Sequence, residues 1–360
     1  MKKIAIIVGN ISFSAGTERA VTNLSNLLVK YGNYFVLIIS VYSTNGDIPI
    51  YELDSRVCIK HLNIKKSNKL SKTLSYLKFI KQTKKIIKDQ KIDFIIGTTH
   101  AFNCLLLFLG NDIIKIACEH MSYNACPYIS SKVRKMIYPK LNAVVLLTKA
   151  DASHYSFIEP KKKFVIPNSL SFRPQKTANY EKKRIISIGR LTEQKGFDIL
   201  IKLASELYKQ IPDWRIDIFG DGEDKQKLNE LIKKLKLEKF IKINSPTNDI
   251  QEEFLNSSIY VMTSRWEGLP MVLLEAKSCG LPIVSFDCPE GPADAIEDGI
   301  DGYLVQMGNN REFIRKLLAL CQDETSRAQF GIRSKINSKK FSPETIFDKW
   351  NNLFISMEKK

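Results

Sequence analysis

The chain has 360 residues, 44% of them hydrophobic, and a formal net charge of +17 from 55 basic and 38 acidic residues. That length exceeds one ordinary domain and suggests two, each able to bury its own core. No apolar run reaches the roughly 20 residues that span a bilayer. Seven cysteines without a C-x-x-C pair speak against a disulfide framework or a zinc site, and scattered histidines with no D-x-D pair give no metal clamp.

The first element, "MKKIAIIVGNISFSAG", is basic and then apolar, like a secretory leader. Its apolar run is short, it lacks a small-x-small cleavage site, and Gly16 and Glu18 follow at once. It therefore reads as a first buried strand, and the chain is expected to stay in the cytoplasm. Further strands are expected at "YFVLIIS", "VCIKHL", "DFIIGTT", "IIKIACEH", "AVVLLT" and "KFVIPN", with helical patterns at 18–30, 72–90 and 149–157.

Between Lys60 and Lys91, eleven lysines face one acid, Asp89. More basic residues follow in "SKVRKMIYPK" and "PKKKF". Such an excess suits either an anionic partner (lipid headgroups, nucleic acid or a phosphorylated substrate) or a plain solvated face. Ile129, Val133, Met136, Ile137 and Leu141 can share one helix face, with Lys132, Arg134, Lys135 and Lys140 around it. That pattern fits an interfacial helix on an anionic membrane and a core-facing helix alike.

After the polar stretch "NSLSFRPQKTANYEKKR" the strand pattern restarts with "RIISIGR", "WRIDIFGDG", "FIKINS", "SIYVMTS", "PIVSFD" and "GYLV". Runs apolar on both faces and separated by helices describe buried parallel strands. The fold class is thus α/β, with two Rossmann-like doubly wound domains at 1–168 and 184–340 and a linker at 169–183. Residues 341–360 form an amphipathic helix with a Ser-Pro-Glu start, expected to pack back towards the first domain. Parallel sheets bind ligands at the carboxyl ends of their strands, which points to a cleft between the two domains.

The loops after the second-series strands hold the candidate chemistry. In "SRWEGLPMVLLEAKSCG" Pro270 suits the first turn of a helix, and the amides of Met271, Val272 and Leu273 would point out of its start towards an anion. Gly268 lets backbone approach a ligand. Glu267 and Glu275 can border the same hollow and suit sugar hydroxyls, although each alone also reads as an ordinary loop or helix charge. Arg190 and Lys195, flanked by Gly189 and Gly196, form a candidate diphosphate clamp. The Gly-x-Gly of "IFGDGE" alone is a weak nucleotide signal.

Taken together, "GRLTEQKG", "IFGDGE", "SRWEGLPMVLLEA", "GLPIV" and "DGIDGYLV" resemble the retaining glycosyltransferases of family four, which have the GT-B fold. "SAGTERA" at 14–20 and "CEHMS" at 118–122 are similar to that family's first-domain loops. The resemblance implies a nucleotide-sugar donor, most simply a UDP-linked hexose or N-acetylhexosamine. It also implies a lipid-linked or saccharide acceptor of the kind used in bacterial surface polysaccharide synthesis, with no cofactor and no metal. By motif position, Arg190 and Lys195 would hold the diphosphate, Glu275 the ribose and Glu267 the donor sugar. Backbone of Gly189 and of Gly268, Leu269, Pro270, Met271 and Val272 would approach sugar and phosphate. Gly16 would allow close approach from the first domain, and His120 would contact a sugar hydroxyl or developing charge.

Ala15 stands where the family has the first glycine of a pair. In that frame the basic first-domain surface, with Lys132, Arg134, Lys135, Met136 and Ile137, would meet acceptor or an anionic membrane on its cytoplasmic face. The leaving phosphate would assist the incoming hydroxyl, and no enzyme nucleophile is expected. Two other readings remain open: an epimerase of the same fold, and a non-catalytic protein that binds anionic surfaces. Nucleic acid is not expected, because no stacking aromatics interleave with the lysines.

Overall fold

In the computed structural model, which describes residues 1–65, 72–123, 126 and 128–358, every one of the thirteen expected strands forms. Contacts divide the chain into two units. One is Met1–Ser169 with the C-terminal segment from Ser342; the other is Leu170–Phe341.

The first unit contains β1 (Lys2–Val8), β2 (Tyr34–Ser40), β3 (Cys58–His61), β4 (Phe94–Gly97), β5 (Ile114–Cys118), β6 (Ala143–Leu146) and β7 (Lys163–Val165). All pair in parallel, in the order β3-β2-β1-β4-β5-β6-β7. Its helices are α1 (Gly16–Tyr31), α2 (Lys72–Gln90), α3 (His100–Leu105), α4 (Tyr128–Ile137) and α5 (Lys149–Ser153), besides a C-terminal helix, Pro343–Glu358.

The two-residue period of the strands sorts the core. Ile4, Ile6 and Val8 pack with Val21, Leu24 and Leu28 of α1 and with Ile346, Trp350, Leu353 and Phe354 of the C-terminal helix. Ala5 and Ile7 face the other way, towards Phe79, Phe102, Leu105 and Ile137 of α2, α3 and α4. Each fully buried side chain of this kind contributes about 1.5–3 kcal/mol. The C-terminal helix therefore belongs energetically to the first unit, although it is last in the chain.

The second unit has six parallel strands, β8 (Arg184–Ile188), β9 (Arg215–Phe219), β10 (Ile241–Asn244), β11 (Ile259–Met262), β12 (Ile283–Asp287) and β13 (Gly302–Gln306), in the order β10-β9-β8-β11-β12-β13. Its helices are α6 (Phe197–Leu207), α7 (Lys225–Lys234), α8 (Ile250–Leu255), α9 (Met271–Ser278), α10 (Pro292–Ala295), α11 (Asn310–Gln322) and α12 (Glu324–Ser338). The strand order reverses direction between β8 and β11, so the loops that leave these two strands diverge and open a crevice.

The stretch read as a linker is not a free tether. Leu170 N–H donates to Phe341 O at 2.9 Å, Ala178 N–H to Cys279 O at 2.7 Å and Asn179 N–H to Leu255 O at 2.9 Å. The Tyr180 hydroxyl reaches Gly280 O at 2.9 Å, and Arg327 donates to Tyr180 O at 2.6 Å. Backbone hydrogen bonds rather than an apolar stripe hold this segment to the second unit, so hydrophobic periodicity carries no sign of it.

Candidate active site

The crevice between β8 and β11 in the second unit gathers most of the candidate residues. The loop after β8 starts at Gly189 and turns through Glu193–Lys195 to Gly196, whose φ of +63° closes the turn. A Cβ on Gly189 would lie 3.2–3.3 Å from the side-chain carbons of Lys195, so glycine lets the lysine stem cross the loop. Gly220 and Gly222 make room for this loop. A Cβ on Gly220 would sit 2.0 Å from Gly189 O, and one on Gly222 2.5 Å from Leu191 O. The "IFGDGE" turn is thus a packing surface for the β8 loop, also bonded to it through Leu191 N–H to Asp221 O and Asp224 N–H to Leu191 O, both 2.9 Å.

Across the crevice, the loop after β11 carries Glu267. Lys195 Nζ donates to Glu267 Oε1 at 2.6 Å, and Ser264 Oγ donates to the same oxygen at 2.6 Å. Side-chain exposures of 16% for Lys195 and 6% for Glu267 make this a largely desolvated pair. A second set of bonds fixes the two loops to each other. Arg265 grips Asp198 through its two terminal guanidinium nitrogens at 2.8 and 2.9 Å, Gln194 Nε2 donates to Trp266 O at 3.0 Å, and Thr263 Oγ1 donates to Gly196 O at 3.0 Å. Burial opposes ionisation of Asp198, yet Arg265 holds its carboxyl below the usual range. Tyr260, on β11 beneath the site, is pushed well up by burial and by the charges of Glu267 and Glu275.

The start of α9 differs from the sequence expectation by one residue. Pro270 is the cap, with extended φ and ψ of −70° and 117°, and Met271 begins the helix. Leu273 N–H is spent on Pro270 O at 3.1 Å, so the outward amides are those of Met271 and Val272. Leu269 and Pro270 are buried, and Gly268 is partly exposed. The neighbouring loop presses on Gly268: Gly291, at φ +87°, would put a Cβ 1.8 Å from Gly268 O. Glu275, fully buried in the second turn of α9, accepts a hydrogen bond from Ser171 Oγ at 2.7 Å. Two residues on, Lys277 anchors α9 from inside through a 2.5 Å bond to Asp301, both with 0% side-chain exposure.

Arg190 is exposed, and no ion pair or side-chain hydrogen bond engages it among the described residues. Its charge is available to a ligand in a way that the Lys195 charge is not. In the first unit, His120 follows β5. Burial pushes its imidazole down to about 4, so the ring is neutral at neutral pH. Its Nε2 lies 3.5 Å from Cys118 Sγ, while its buried Nδ1 has no hydrogen-bond partner. Gly16 opens α1 on the surface, and a Cβ there would meet nothing within 4 Å.

The expected membrane or acceptor helix is corrected in part. Lys132, Lys135 and Met136 of α4 are exposed. Arg134, at 1% exposure, and Ile137 lie in the interior. The Arg134 guanidinium donates to Tyr155 OH at 2.5 Å and Tyr123 O at 3.1 Å and stacks over the Tyr123 ring at 4.3 Å. Stacked between tyrosines with its hydrogens directed to oxygen, an arginine tolerates the core. The side chain of Ile129 and the segment 66–71 of the lysine-rich stretch fall outside the described residues.

Sequence reasoning passed over Ser264, Arg265, Asp198, Ser171 and Gly291. For Ser264 a local signal existed, since "SRWE" has the Ser-x-x-Glu spacing that brings the two residues together within one turn of chain. The others depend on contacts between distant segments.

Two Rossmann-like parallel-sheet units, one of them gathering Arg190, Lys195, Glu267, Glu275 and the start of α9 around its switch point, define a two-unit α/β protein with a candidate ligand site at the carboxyl ends of its strands. The glycosyl transferases group 1 family matches residues 169–336. Among relatives that span the full chain, the amylovoran biosynthesis glycosyltransferase AmsD of Erwinia amylovora is 35% identical over 98% of this chain and 99% of its own. A Campylobacter jejuni enzyme named GalNAc-alpha-(1->4)-GalNAc-alpha-(1->3)-diNAcBac-PP-undecaprenol alpha-1,4-N-acetyl-D-galactosaminyltransferase is 25% identical over 99% of both chains. The S. aureus TarM crystal structure, solved with Fondaparinux, alpha-GlcNAc-glycerol and UDP, superposes with a TM-score of 0.84 over 98% of this chain and 100% of that one, at 20% identity. It shares the fold, which is GT-B. The chain belongs to the group 1 glycosyltransferases.

Proposed function

We propose that this glycosyltransferase retains anomeric configuration and moves a hexose or N-acetylhexosamine from a UDP-sugar to a lipid-linked glycan acceptor in bacterial surface polysaccharide synthesis. The observation that carries the reading is the pairing of Lys195 with Glu267 beside exposed Arg190 and the α9 start. Phosphate asks for cations and amides, and sugar hydroxyls ask for carboxylates; one crevice of the second unit supplies both. The UDP bound to TarM and the undecaprenol diphosphate in the name of the Campylobacter jejuni relative support the donor and acceptor classes.

Each residue then has a task. Arg190 and Lys195 stabilise charge that develops on the leaving diphosphate, the largest contribution available without a metal. Binding of the diphosphate draws the Lys195 ammonium partly from Glu267, freeing a carboxylate oxygen for a hydroxyl of the donor sugar. Met271 and Val272 amides face phosphate, and Glu275 takes the ribose hydroxyls. His120, neutral at working pH, hydrogen-bonds a sugar hydroxyl. The carboxylates bind donor and do not attack it; the leaving phosphate takes the proton of the incoming acceptor hydroxyl while the new glycosidic bond forms on the same face.

The exposed cations of α2, Lys78, Lys81, Lys84, Lys85 and Lys88, flank exposed Leu74 and Leu77. With Lys132, Lys135 and Met136 they suit the cytoplasmic face of an anionic membrane, where a lipid-linked acceptor resides. A thermal-shift screen against UDP, GDP, ADP and their sugar conjugates in EDTA tests the donor half. Selective stabilisation by uridine nucleotides, lost in Arg190→Ala and Glu275→Ala, is expected. Stabilisation that needs a divalent ion, or that survives both substitutions, would overturn the site assignment.

A further inference from the structure

We propose that Ser171 is a positioning residue for donor binding: its hydroxyl sets the orientation in which the Glu275 carboxylate receives the ribose. The proposal rests on the reading of Glu275 as the ribose site. Ser171 lies in a segment with no helix or strand, two residues past the point where the chain leaves the first unit. Leu170 beside it is tied by its amide to Phe341 O at 2.9 Å, which holds the local backbone still. From that fixed point Ser171 Oγ donates to Glu275 Oε1 at 2.7 Å.

The geometry matters because of what a carboxylate does for a vicinal diol. Two neighbouring hydroxyls donate together only when both carboxylate oxygens lie in the plane that faces them. The last torsion of a glutamate is broad and roughly two-fold, so the side chain alone does not select that plane. A hydroxyl bonded to one oxygen does. Serine has a single proton to give, and a carboxylate has about four lone-pair sites, so the Ser171 bond occupies one of them. The bond is charge-assisted and sits against a side chain with no exposed surface, where such a bond is strongest.

The two ends of this contact lie 104 positions apart. Glu275 is carried by α9, whose register is locked from inside by Lys277 and Asp301. The helix therefore places the carboxylate and Ser171 turns it.

The test is calorimetric binding of UDP and of 2′,3′-dideoxy-UDP to the full chain, in wild type and in Ser171→Ala, Ser171→Thr, Glu275→Ala and the Ser171→Ala/Glu275→Ala double variant. Ser171→Ala should weaken UDP about tenfold, the scale of one hydrogen bond to a charged group. It should leave dideoxy-UDP unchanged, Ser171→Thr should restore UDP, and Ser171→Ala should add nothing once Glu275 is gone. Equal weakening of both nucleotides, or UDP binding at the wild-type level in Ser171→Ala while Glu275→Ala binds weakly, overturns the role of Ser171 and leaves the donor site standing. Wild-type UDP affinity in Glu275→Ala overturns the ribose assignment itself, and the proposal with it.

Discussion

Lys195→Met should destabilise the second unit even with no ligand present. Lys195 and Glu267 form a 2.6 Å pair at 16% and 6% side-chain exposure, and removal of the lysine leaves Glu267 with the Ser264 hydroxyl in place of a counter-ion. Breaking a buried pair by deleting one partner costs about 3–5 kcal/mol. The residual exposure of Lys195 sets the lower end, about 3 kcal/mol. For a unit of this size each kcal/mol moves the midpoint by about 2–4 °C, so the transition should fall by about 6–12 °C. Glu267→Gln should cost less, about 1 kcal/mol, because the amide oxygen still accepts from Ser264 and the lysine can turn to water. In the double variant no buried charge remains, and stability should return to within about 1 kcal/mol of the parent.

The assay is thermal unfolding by tryptophan fluorescence in a Trp350→Phe background, which leaves Trp214 and Trp266, both in the second unit, as reporters. A Lys195→Met midpoint within about 1 °C of its parent, or a double variant no more stable than the single, would refute the claim that the two side chains are paired before donor arrives.

Three further outcomes are expected. Burial lowers the His120 imidazole from 6.5 to about 4, so the folded state binds fewer protons than the unfolded one between those values; stability is full above pH 6.5 and falls as pH drops towards 4. The loss is at most about 3 kcal/mol, less for the part of the ring that is exposed, and urea titrations of wild type and His120→Asn across pH 4–7 should differ by that slope. Gly291→Ala, at φ +87° with its new Cβ on Gly268 O, should lower the second unit's melting temperature by several degrees, whereas Gly16→Ala, with open space around it, should melt like wild type. Arg134→Leu should destabilise the first unit by about 3 kcal/mol or more, because Tyr155 OH and Tyr123 O lose their donor, while Lys135→Glu should leave the melt unchanged and weaken sedimentation with anionic vesicles.

The fold was legible because its decisive features are local. The run "IAIIV" is apolar at every position, which suits a short strand covered on both faces, and "IISI" and "IYVM" are nearly so. The helices between them then follow from the crossover that parallel pairing requires. Arg134 shows where such reading stops. Its charge marks it as surface, and its actual environment is set by Tyr123 and Tyr155, 11 and 21 positions away. The partners of segment 169–183 are equally non-local: its bonds go to residues 341, 279 and 255, and composition says nothing of partners that distant.

The candidate site divides along this line. Spacing proposes Glu267 and Glu275 as neighbours of one helix start, and it proposes Arg190 and Lys195 as one loop. It gives no reason for Lys195 to find Glu267, 72 positions on. That reason is the strand order. β8 pairs with β11 although three helices and two strands separate them in sequence, and the loops leaving this pair are the two that carry the lysine and the glutamate. A motif list names the groups; the reversal of strand order between β8 and β11 decides which of them meet. Arg190 and Lys195 share a loop, yet the lysine is neutralised by its neighbour across the crevice and the arginine is left facing water. On the proposed assignment, the two cations of one clamp therefore enter donor binding from different states, and only the lysine must exchange a partner to do so.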